Sequence, residues 1–465
     1  MERRKAFFPL IFVGFWLVLA VLACNLTDSA PPPTIVPRAS ATPPPTIGYA
    51  TLAPDEYPQE ATNMPRTAPR PDTTLVNVMN QVEPDRLIMH VDALVGMGTR
   101  HVLSSWTTPN QGIGGAYNYI TNHFNEISAQ SYQNSFMVLQ PHEFPFSFAG
   151  QDGVGRNIIG LLQGTETGAG IIVIGAHYDS ISLDFENPNA YAPGANDNAS
   201  GVAALIEIAR VMSQRPHRAT VMFVAFSAEE IQRKGSISFV NDYLRANNIE
   251  INAMFNLDIV GSNNSAQGAV NDSQMRIFSD EPNESTSRQL ARALNLIVSR
   301  HVPGMELVVE STVDRGGRYG DHMSFSEAGY PAVRFVEPVE EGDRHHTSRD
   351  TLEDVQVSYL LRVAQTVVAC ATALADGLQP PRSVQLREAT EGQRTLVWER
   401  VPEAASYVVA LRPPGSLIYD PFFETNDTTV TWDGFVSSRF IGVAIAAKDA
   451  SGLIGPFSFE YAISN

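Results

Sequence analysis

Five short segments between residues 175 and 351 carry side chains that can bind metal ions and move protons. In chain order they are Gly-Ala-His177-Tyr-Asp179-Ser, Gly-Ala-Asn-Asp197-Asn-Ala-Ser-Gly, Ser-Ala-Glu229-Glu230, Asn-Leu-Asp258 and His346-Thr-Ser-Arg-Asp350-Thr. Imidazole and carboxylate groups are ligands for zinc and related divalent ions. A metal site with a spare carboxylate beside it, here Glu229, is able to activate water against an amide bond. The set therefore indicates hydrolytic chemistry.

Each segment taken alone also has an ordinary structural explanation. A His-x-Asp after a strand is often only structural, a Glu-Glu pair at a strand end is often a solvated turn, and Asp197 could cap a helix. Only 10 histidines occur in 465 residues, so the ordered recurrence of all these segments favours one shared site.

The composition predicts a folded protein that does not bind nucleic acid. Hydrophobic residues make up 43% and charged residues 18% of the chain, as in globular proteins. The net charge of −18 argues against nucleic acid, since phosphate binding needs clustered Lys and Arg. The two cysteines are Cys24 and Cys370, so any zinc must be held by His, Asp and Glu. Cys370 lies in an apolar run and is predicted to be buried in a helix.

The amino terminus resembles the export signal of a bacterial lipoprotein. Three basic residues at 3–5 precede an apolar run over 7–23, and Val-Leu-Ala-Cys24 resembles a lipobox. We predict a signal peptide over 1–23 and lipidation of Cys24, with more than one acyl chain making the attachment stable. An uncleaved signal anchor is the alternative, because the run is nearly long enough to span a bilayer. Both readings predict an extracytoplasmic protein attached to the cell membrane.

Two regions follow the signal. Residues 24–72 are rich in Pro and Thr and are expected to form an extended tether. Residues 73–379 alternate apolar strands with helices, which is typical of an α/β domain with a parallel or mixed sheet. Strands are predicted over 157–162, 171–175, 220–226 and 251–257, and helices over 199–213 and 236–246. His177, Glu229, Glu230 and Asp258 directly follow predicted strands, where open α/β sheets place their sites.

Residues 380–465 have a different pattern. Short alternating segments over 395–398, 406–411, 428–432 and 440–447 are separated by Pro, Gly, Asn and Asp, which predicts a small all-β sandwich. Trp398 and Tyr407 resemble two aromatic positions of a fibronectin type III module in residue type and spacing. The module is predicted either to bind wall, glycan or substrate, or to act as a stabilising spacer.

The five segments, in sequence and in order, resemble the motifs of the M28 family of zinc aminopeptidases. The resemblance implies a three-layer α/β domain with a mixed sheet over residues 73–379. It also implies two zinc ions, which can share a bridging carboxylate. His177 and Asp258 are assigned to one ion, Glu230 and His346 to the other, and Asp197 to both.

The same resemblance implies roles for residues beside the ligands. Glu229 becomes the general base, and Asp179 becomes the group that orients His177. In the family the peptide bond after the shared aspartate is cis, which predicts a cis bond between Asp197 and Asn198.

His345 creates an ambiguity, because imidazole binds metal equally well at this position and at His346. The spacing to Asp350 favours His346. In Gly-Asp321-His322, the polar pair is expected to line the substrate pocket, or Asp321 is expected to cap a helix. His322 is not expected to bind metal.

The stretch after Glu230 departs from the family pattern, which is apolar and contains glycine there. Arg233 and Lys234 occupy this stretch. We expect these two side chains to be solvated or to shape the rim of the cleft.

The sequence thus predicts an extracytoplasmic metallopeptidase that removes N-terminal residues from peptides with free N-termini. Other divalent metals could replace zinc, because carboxylate-rich sites bind several of them. Three alternatives stay open: a glutaminyl cyclase with one zinc, a carboxypeptidase of the same superfamily, and a non-catalytic surface binding protein. Metal-dependent turnover separates the enzymes from the binding protein.

Overall fold

The protein is described from a computed structural model. The structure describes residues 73–265, 268–340, 342–389 and 392–464. The signal peptide, the lipidated Cys24 and the tether, all predicted within residues 1–72, lie outside the described residues.

A large mixed sheet forms the centre of the first region. Its strands are β1 (Phe136–Val138), β2 (His142–Phe148), β3 (Gln151–Leu162), β4 (Ile171–His177), β5 (Thr220–Phe226), β6 (Ala253–Leu257), β7 (Gln274–Ser279), β8 (Glu306–Val309) and β9 (Ala332–Val336). The spatial order is β1-β3-β5-β4-β6-β9-β7-β8, and β2 pairs with β3. Strands β5, β4, β6 and β9 run parallel, so their carboxyl ends lie along one edge.

Helices cover both faces of this sheet. They are α1 (Thr73–Met79), α2 (Pro84–Val95), α3 (Gly112–Gln130), α4 (Ser200–Met212), α5 (Lys234–Ser238), α6 (Thr286–His301), α7 (His322–Ser326) and α8 (Val357–Asp376). On β4, Ile172 and Ile174 pack into the core that contains α4 and α8, whereas Val173 packs with Phe239 and Phe325 on the opposite face. Because successive side chains of a strand point to opposite faces, two helical layers enclose the sheet. The predicted three-layer α/β fold is confirmed.

Helix α8 is long and apolar enough to cross a membrane, but 72% of its apolar stretch is buried inside the protein. It shares the main core with α4. Cys370 lies on this helix and is buried, as predicted. Helix α8 is therefore a core helix.

Some element limits differ from the predicted ones. Strand β3 begins at Gln151, not at 157, because its first half pairs with β2 in a hairpin. The helix predicted over 236–246 begins at Lys234 and continues as a π-helical turn, Phe239–Arg245. The first half of β3 is largely exposed, so it lacks the apolar run by which the buried half was recognised.

Residues 385–462 form two antiparallel sheets. The first contains β10 (Gln385–Glu388), β11 (Arg394–Val397) and β14 (Thr429–Trp432); the second contains β12 (Ser406–Arg412), β13 (Phe422–Thr425), β15 (Gly442–Lys448), β16 (Ile454–Phe457) and β17 (Tyr461–Ala462). Leu396 from the first sheet and Val409 and Ile445 from the second share one core. The predicted small β-sandwich is confirmed. Its fibronectin type III character and the domain boundaries stay predictions.

The sandwich packs directly against α6. Leu296 of this helix is buried among Val408 and Ala444 of the sandwich. Arg292 of α6 forms a buried ion pair with Glu460 at 3.4 Å. An apolar contact and a buried charge pair thus join the sandwich to the α/β region, in addition to the covalent connection.

Candidate metal centre

Four of the predicted site residues lie at the carboxyl ends of three neighbouring strands. His177 is the last residue of β4, Glu229 and Glu230 follow β5, and Asp258 follows β6. Strand β4 lies between β5 and β6, and all three run parallel. The side chains therefore reach the same edge of the sheet.

A short irregular turn, Ala195–Ala199, brings Asp197 to that edge. The carboxylate of Asp350 accepts hydrogen bonds from the backbone N–H groups of Asn196 at 2.7 Å and Asp197 at 2.9 Å. The peptide bond between Asp197 and Asn198 is cis, as the family resemblance implied. Asp350 thus holds the turn in place. No role was assigned to this residue from the sequence.

The side chain of Asn198 ties this turn to the end of β6. Its Nδ2 donates to the carbonyl oxygen of Leu257 at 2.9 Å, and its Oδ1 accepts from the backbone N–H of Ile259 at 3.3 Å. These two residues flank Asp258 in the chain. The position of Asp258 relative to Asp197 is therefore set by direct hydrogen bonds.

Two groups of potential metal ligands meet at Asp197. In the first, His177 Nε2 lies 3.4 Å from Asp197 Oδ1 and 3.5 Å from Asp258 Oδ1. In the second, His346 Nε2 lies 2.9 Å from Glu230 Oε2 and 3.3 Å from Asp197 Oδ2. One carboxylate thus faces each group with a different oxygen, as a ligand shared by two ions would.

The donor set fits zinc. His177 Nε2 and Glu230 Oε1 are buried and have no hydrogen-bond partner among the residues that the structure describes. Burying a polar atom without a partner is costly, and a cation would satisfy both atoms. All members of the two groups line one cavity of about 530 Å³, and all are nitrogen or oxygen donors that zinc accepts.

Glu229 lies beside the two groups without belonging to either. Its Oε2 is 4.0 Å from His177 Nε2, and 13% of its side chain is exposed. The Asp179 carboxylate accepts hydrogen bonds from the backbone N–H groups of Glu229 at 3.2 Å and Glu230 at 3.1 Å. His177 Nδ1 lies 3.2 Å from the Asp179 carbonyl oxygen and 3.7 Å from its carboxylate. Asp179 therefore contacts His177 and also holds the Glu229–Glu230 turn, a role that the sequence did not indicate.

Burial and opposing charges shift the pKa values in this cluster. The charge of Glu230 raises the pKa of His346 to about 11. Burial raises the pKa of Glu230 to about 7 and that of Glu229 well above its usual value. Burial alone would lower the pKa of His177, but the charge of Glu229 and the nearby carboxylates of Asp179, Asp197 and Asp258 raise it well above the usual value. Imidazoles and carboxylates thus share protons that have to leave when cations bind.

Three loop residues at the site have left-handed backbone conformations. The φ angles are 62° for Ala228, 60° for Ile259 and 58° for His346. Such conformations cost on the order of 1–3 kcal/mol each for residues other than glycine. Each of these residues is a site residue or adjoins one, so part of the backbone strain of the protein lies where the site residues are positioned.

Arg334 completes the site, and sequence reasoning missed it. This buried side chain on β9 places Nη2 3.1 Å from Asp258 Oδ2 and Nη1 2.9 Å from Asp314 Oδ2. Although burial opposes it, the charges of these two carboxylates raise the pKa of Arg334 above its usual value. An arginine inside the apolar run Ala332–Val336 was the available signal, because a buried charge requires a partner.

Replacing Arg334 with methionine is expected to lower the free energy of unfolding by about 3–5 kcal/mol, because two buried carboxylates would lose their cation. Urea denaturation of the chelator-treated protein measures this. Arg218→Met is the matched control, since Arg218 pairs with Glu166 at the surface, where an ion pair contributes about 0–1 kcal/mol. Equal small losses in both variants would contradict the structural role of Arg334.

The structure separates His345 from His346. His346 lines the cavity that contains Asp197, whereas His345 is buried and lines a second cavity of about 450 Å³ with Asp350. The structure therefore brings His346, the histidine that the sequence favoured as a ligand, to Asp197.

The expectations for Asp321 are not met. Its side chain makes no capping hydrogen bond at the start of α7, and it is not among the residues that line the cavity with Glu229. Burial raises the pKa of Asp321 to about 7. His322 Nε2 lies 3.1 Å from the carbonyl oxygen of Val313, and neither ligand group found in the described residues includes His322.

The chain is similar to known proteins in sequence and in fold. Residues 157–371 match the sequence model of peptidase family M28. A probable zinc metalloprotease of Pyricularia oryzae is 30% identical over 453 residues, which cover 85% of this chain and 88% of the relative. Another, from Leptosphaeria maculans, is 29% identical over 346 residues, covering 68% and 80%. The solved structure of the LapA aminopeptidase of Legionella pneumophila is 21% identical with a TM-score of 0.53, covering 68% of this chain and 79% of that one. This last likeness shows a shared fold.

Proposed function

Because this chain belongs to peptidase family M28 and is related to zinc metalloproteases, we propose that it is an extracytoplasmic aminopeptidase. It uses two zinc ions to hydrolyse the N-terminal peptide bond of peptides. Membership of the family supports zinc-dependent peptidase chemistry. The number of ions and the position of the cleaved bond are the additional parts of the proposal.

The position of Asp197 carries the proposal of two ions. Its Oδ1 lies 3.4 Å from His177 Nε2 and its Oδ2 lies 3.3 Å from His346 Nε2, so each oxygen faces a different histidine. His177 and Asp258 would hold one ion, Glu230 and His346 the other, and Asp197 both. Bound zinc supplies positive charge that polarises a peptide carbonyl and lowers the pKa of water.

Glu229 moves the proton in the proposed reaction. It takes a proton from the attacking water and returns it to the leaving amine. Its carboxylate lines the cavity, and Asp179 keeps it in reach by binding its backbone N–H at 3.2 Å. Burial raises the pKa of Glu229, and cations bound in the two ligand groups would lower it again by favouring the carboxylate form.

The proposed activity predicts cleavage of aminoacyl 4-nitroanilides and no cleavage of their N-acetylated counterparts. Turnover is expected to stop on chelation and to return with zinc, as measured by nitroaniline release. Cleavage of N-blocked peptides with free carboxyl ends would instead indicate a carboxypeptidase. Cyclisation of N-terminal glutamine without amide hydrolysis would indicate a glutaminyl cyclase, and no turnover with bound metal would indicate a binding protein.

Zinc binding is expected to release protons near neutral pH and to weaken as the pH falls. The pKa of His346 is raised to about 11 and that of Glu230 to about 7, so protons compete with zinc for these groups and compete more strongly at low pH. Calorimetry in buffers with different ionisation enthalpies measures the protons released. Zinc affinity that does not change between pH 8 and pH 5.5 would contradict this prediction.

We also propose that the enzyme is anchored through a lipidated Cys24. The basic start, the apolar run and the Val-Leu-Ala-Cys24 sequence support this proposal. Membrane attachment and incorporation of labelled fatty acid are expected in a bacterial host, and both should be lost in Cys24→Ser. Membrane attachment that persists in this variant without labelling would favour an uncleaved anchor.

A further inference from the structure

The cavity above the candidate metal centre has a basic rim. Two segments supply it: Arg233 and Lys234 follow the Glu229–Glu230 turn, and Arg315 and Arg318 come from the loop before α7. The whole chain carries only 32 Lys and Arg against 50 Asp and Glu. Several cations around one cavity therefore run against the overall charge of the protein.

Two of these cations are already paired. Arg233 donates to Ser324 Oγ at 3.4 Å and to Glu327 Oε1 at 3.3 Å. Arg315 forms ion pairs with Asp314 and Glu340. Their charges are largely compensated by groups of the protein itself.

Lys234 and Arg318 are different. Neither side chain forms a hydrogen bond or an ion pair within the part of the chain that the structure describes. Lys234 is half-buried and Arg318 is exposed, and both line the cavity. Two cations at the rim of one cavity are thus available to an anionic ligand.

Backbone hydrogen bonds place Lys234 in the same turn as Glu229. The N–H of Arg233 donates to the carbonyl oxygen of Glu229 at 2.7 Å, and the N–H of Lys234 donates to that of Ala228 at 2.9 Å. The turn after β5 therefore presents the proposed base and a free ammonium group to the same cavity. A carboxylate bound by Lys234 would lie on the part of a substrate next to the bond that is cleaved.

We infer that the cavity selects peptides whose N-terminal residue has an acidic side chain, and that Lys234 and Arg318 bind its carboxylate. This inference rests on the proposed aminopeptidase function. A cavity of about 530 Å³ accommodates the end of a peptide. Ammonium and guanidinium groups bind a carboxylate through hydrogen bonds in which both partners are charged, whereas glutamine and asparagine side chains offer only a neutral acceptor.

The test compares glutamyl with glutaminyl 4-nitroanilide, and aspartyl with asparaginyl 4-nitroanilide, on the zinc-loaded full chain. The acidic substrate of each pair is expected to have a kcat/KM higher by roughly 10-fold, as one charge-assisted contact gives. The ratio should fall about 10-fold in Lys234→Gln, should fall in Arg318→Gln, and should be partly restored in Lys234→Arg. It should also fall as salt is added, because exposed charges are screened.

Arg387→Gln is the matched control, since it removes one exposed arginine from β10 of the sandwich. A wild-type enzyme that cleaves free-amine substrates without favouring the acidic ones would overturn the inference alone, as would an unchanged ratio in both rim variants. Cleavage restricted to N-blocked peptides with free carboxyl ends would overturn it too, by assigning the two cations to a C-terminal carboxylate. Absence of turnover with every free-amine substrate would overturn the proposed function together with the inference.

Discussion

Replacing Glu229 with glutamine is expected to lower kcat by about 10²–10⁴-fold, the usual contribution of a general acid–base group. The substitution keeps the shape of the side chain but removes its ability to accept a proton. Glu229 lies 4.0 Å from His177 Nε2 and belongs to neither ligand group, so the zinc content should stay the same. Single-turnover kinetics and elemental analysis of the same preparation measure the two quantities.

Two variants bracket this result. Glu230→Gln, one residue away, should lose zinc as well as activity, because Glu230 belongs to the group that contains His346. Glu388→Gln removes an exposed carboxylate of the sandwich, 75% of whose side chain is exposed, and should change neither quantity. Loss of zinc in Glu229→Gln would make Glu229 a ligand, and full activity would remove it from the mechanism.

Replacing Asp197 with asparagine is expected to weaken the binding of both zinc ions at once. Asp197 is the one residue common to the two ligand groups found in the described part of the chain. The loss of affinity should exceed the roughly 10- to 100-fold that removal of an outer hydrogen-bond partner costs. Calorimetric titration of the chelator-treated protein with zinc measures both the affinity and the number of ions bound, and activity should fall below detection.

Comparison with Asp258→Asn distinguishes a ligand shared by two ions from a ligand of one ion. Asp258 belongs only to the group that contains His177. Its substitution should therefore weaken the binding of one ion and leave the binding of the other largely unchanged. Asp343→Asn, 70% of whose side chain is exposed, serves as the control for the charge change. Equal behaviour of Asp197→Asn and Asp258→Asn, each losing a single ion, would contradict the bridging role and with it the two-ion centre.

The sequence was informative where the pattern is local. Buried strands such as β4 and β5 carry continuous apolar runs, so their carboxyl ends and the residues that follow could be predicted from hydrophobicity alone. Strand β2 and the first half of β3 alternate or lie at the surface, and the helix at 236–246 began two residues earlier than expected. The periodicity of such segments is weak, since only part of each one is buried.

The site divides in the same way. The chemical types of His177, Glu230 and Asp258 and their order along the chain point to a metal centre without any coordinates. The contacts that orient them link distant parts of the chain: Asp350 binds the backbone of Asn196 from 154 residues away. No local pattern encodes which side chain will meet such a partner.

By itself, the amino-acid sequence determined the α/β class and the small β-sandwich, because residue type and hydrophobic period are local properties. The proposed metal ligands were predicted from the resemblance of their motifs to those of the M28 family. Only the tertiary structure decided three further features. It turned the two oxygens of Asp197 toward different ligand groups, buried Arg334 between Asp258 and Asp314, and placed Lys234 at the rim of the cavity without a partner among the described residues. Each of these depends on which distant groups approach one another, and this is settled by the packing of strands and loops.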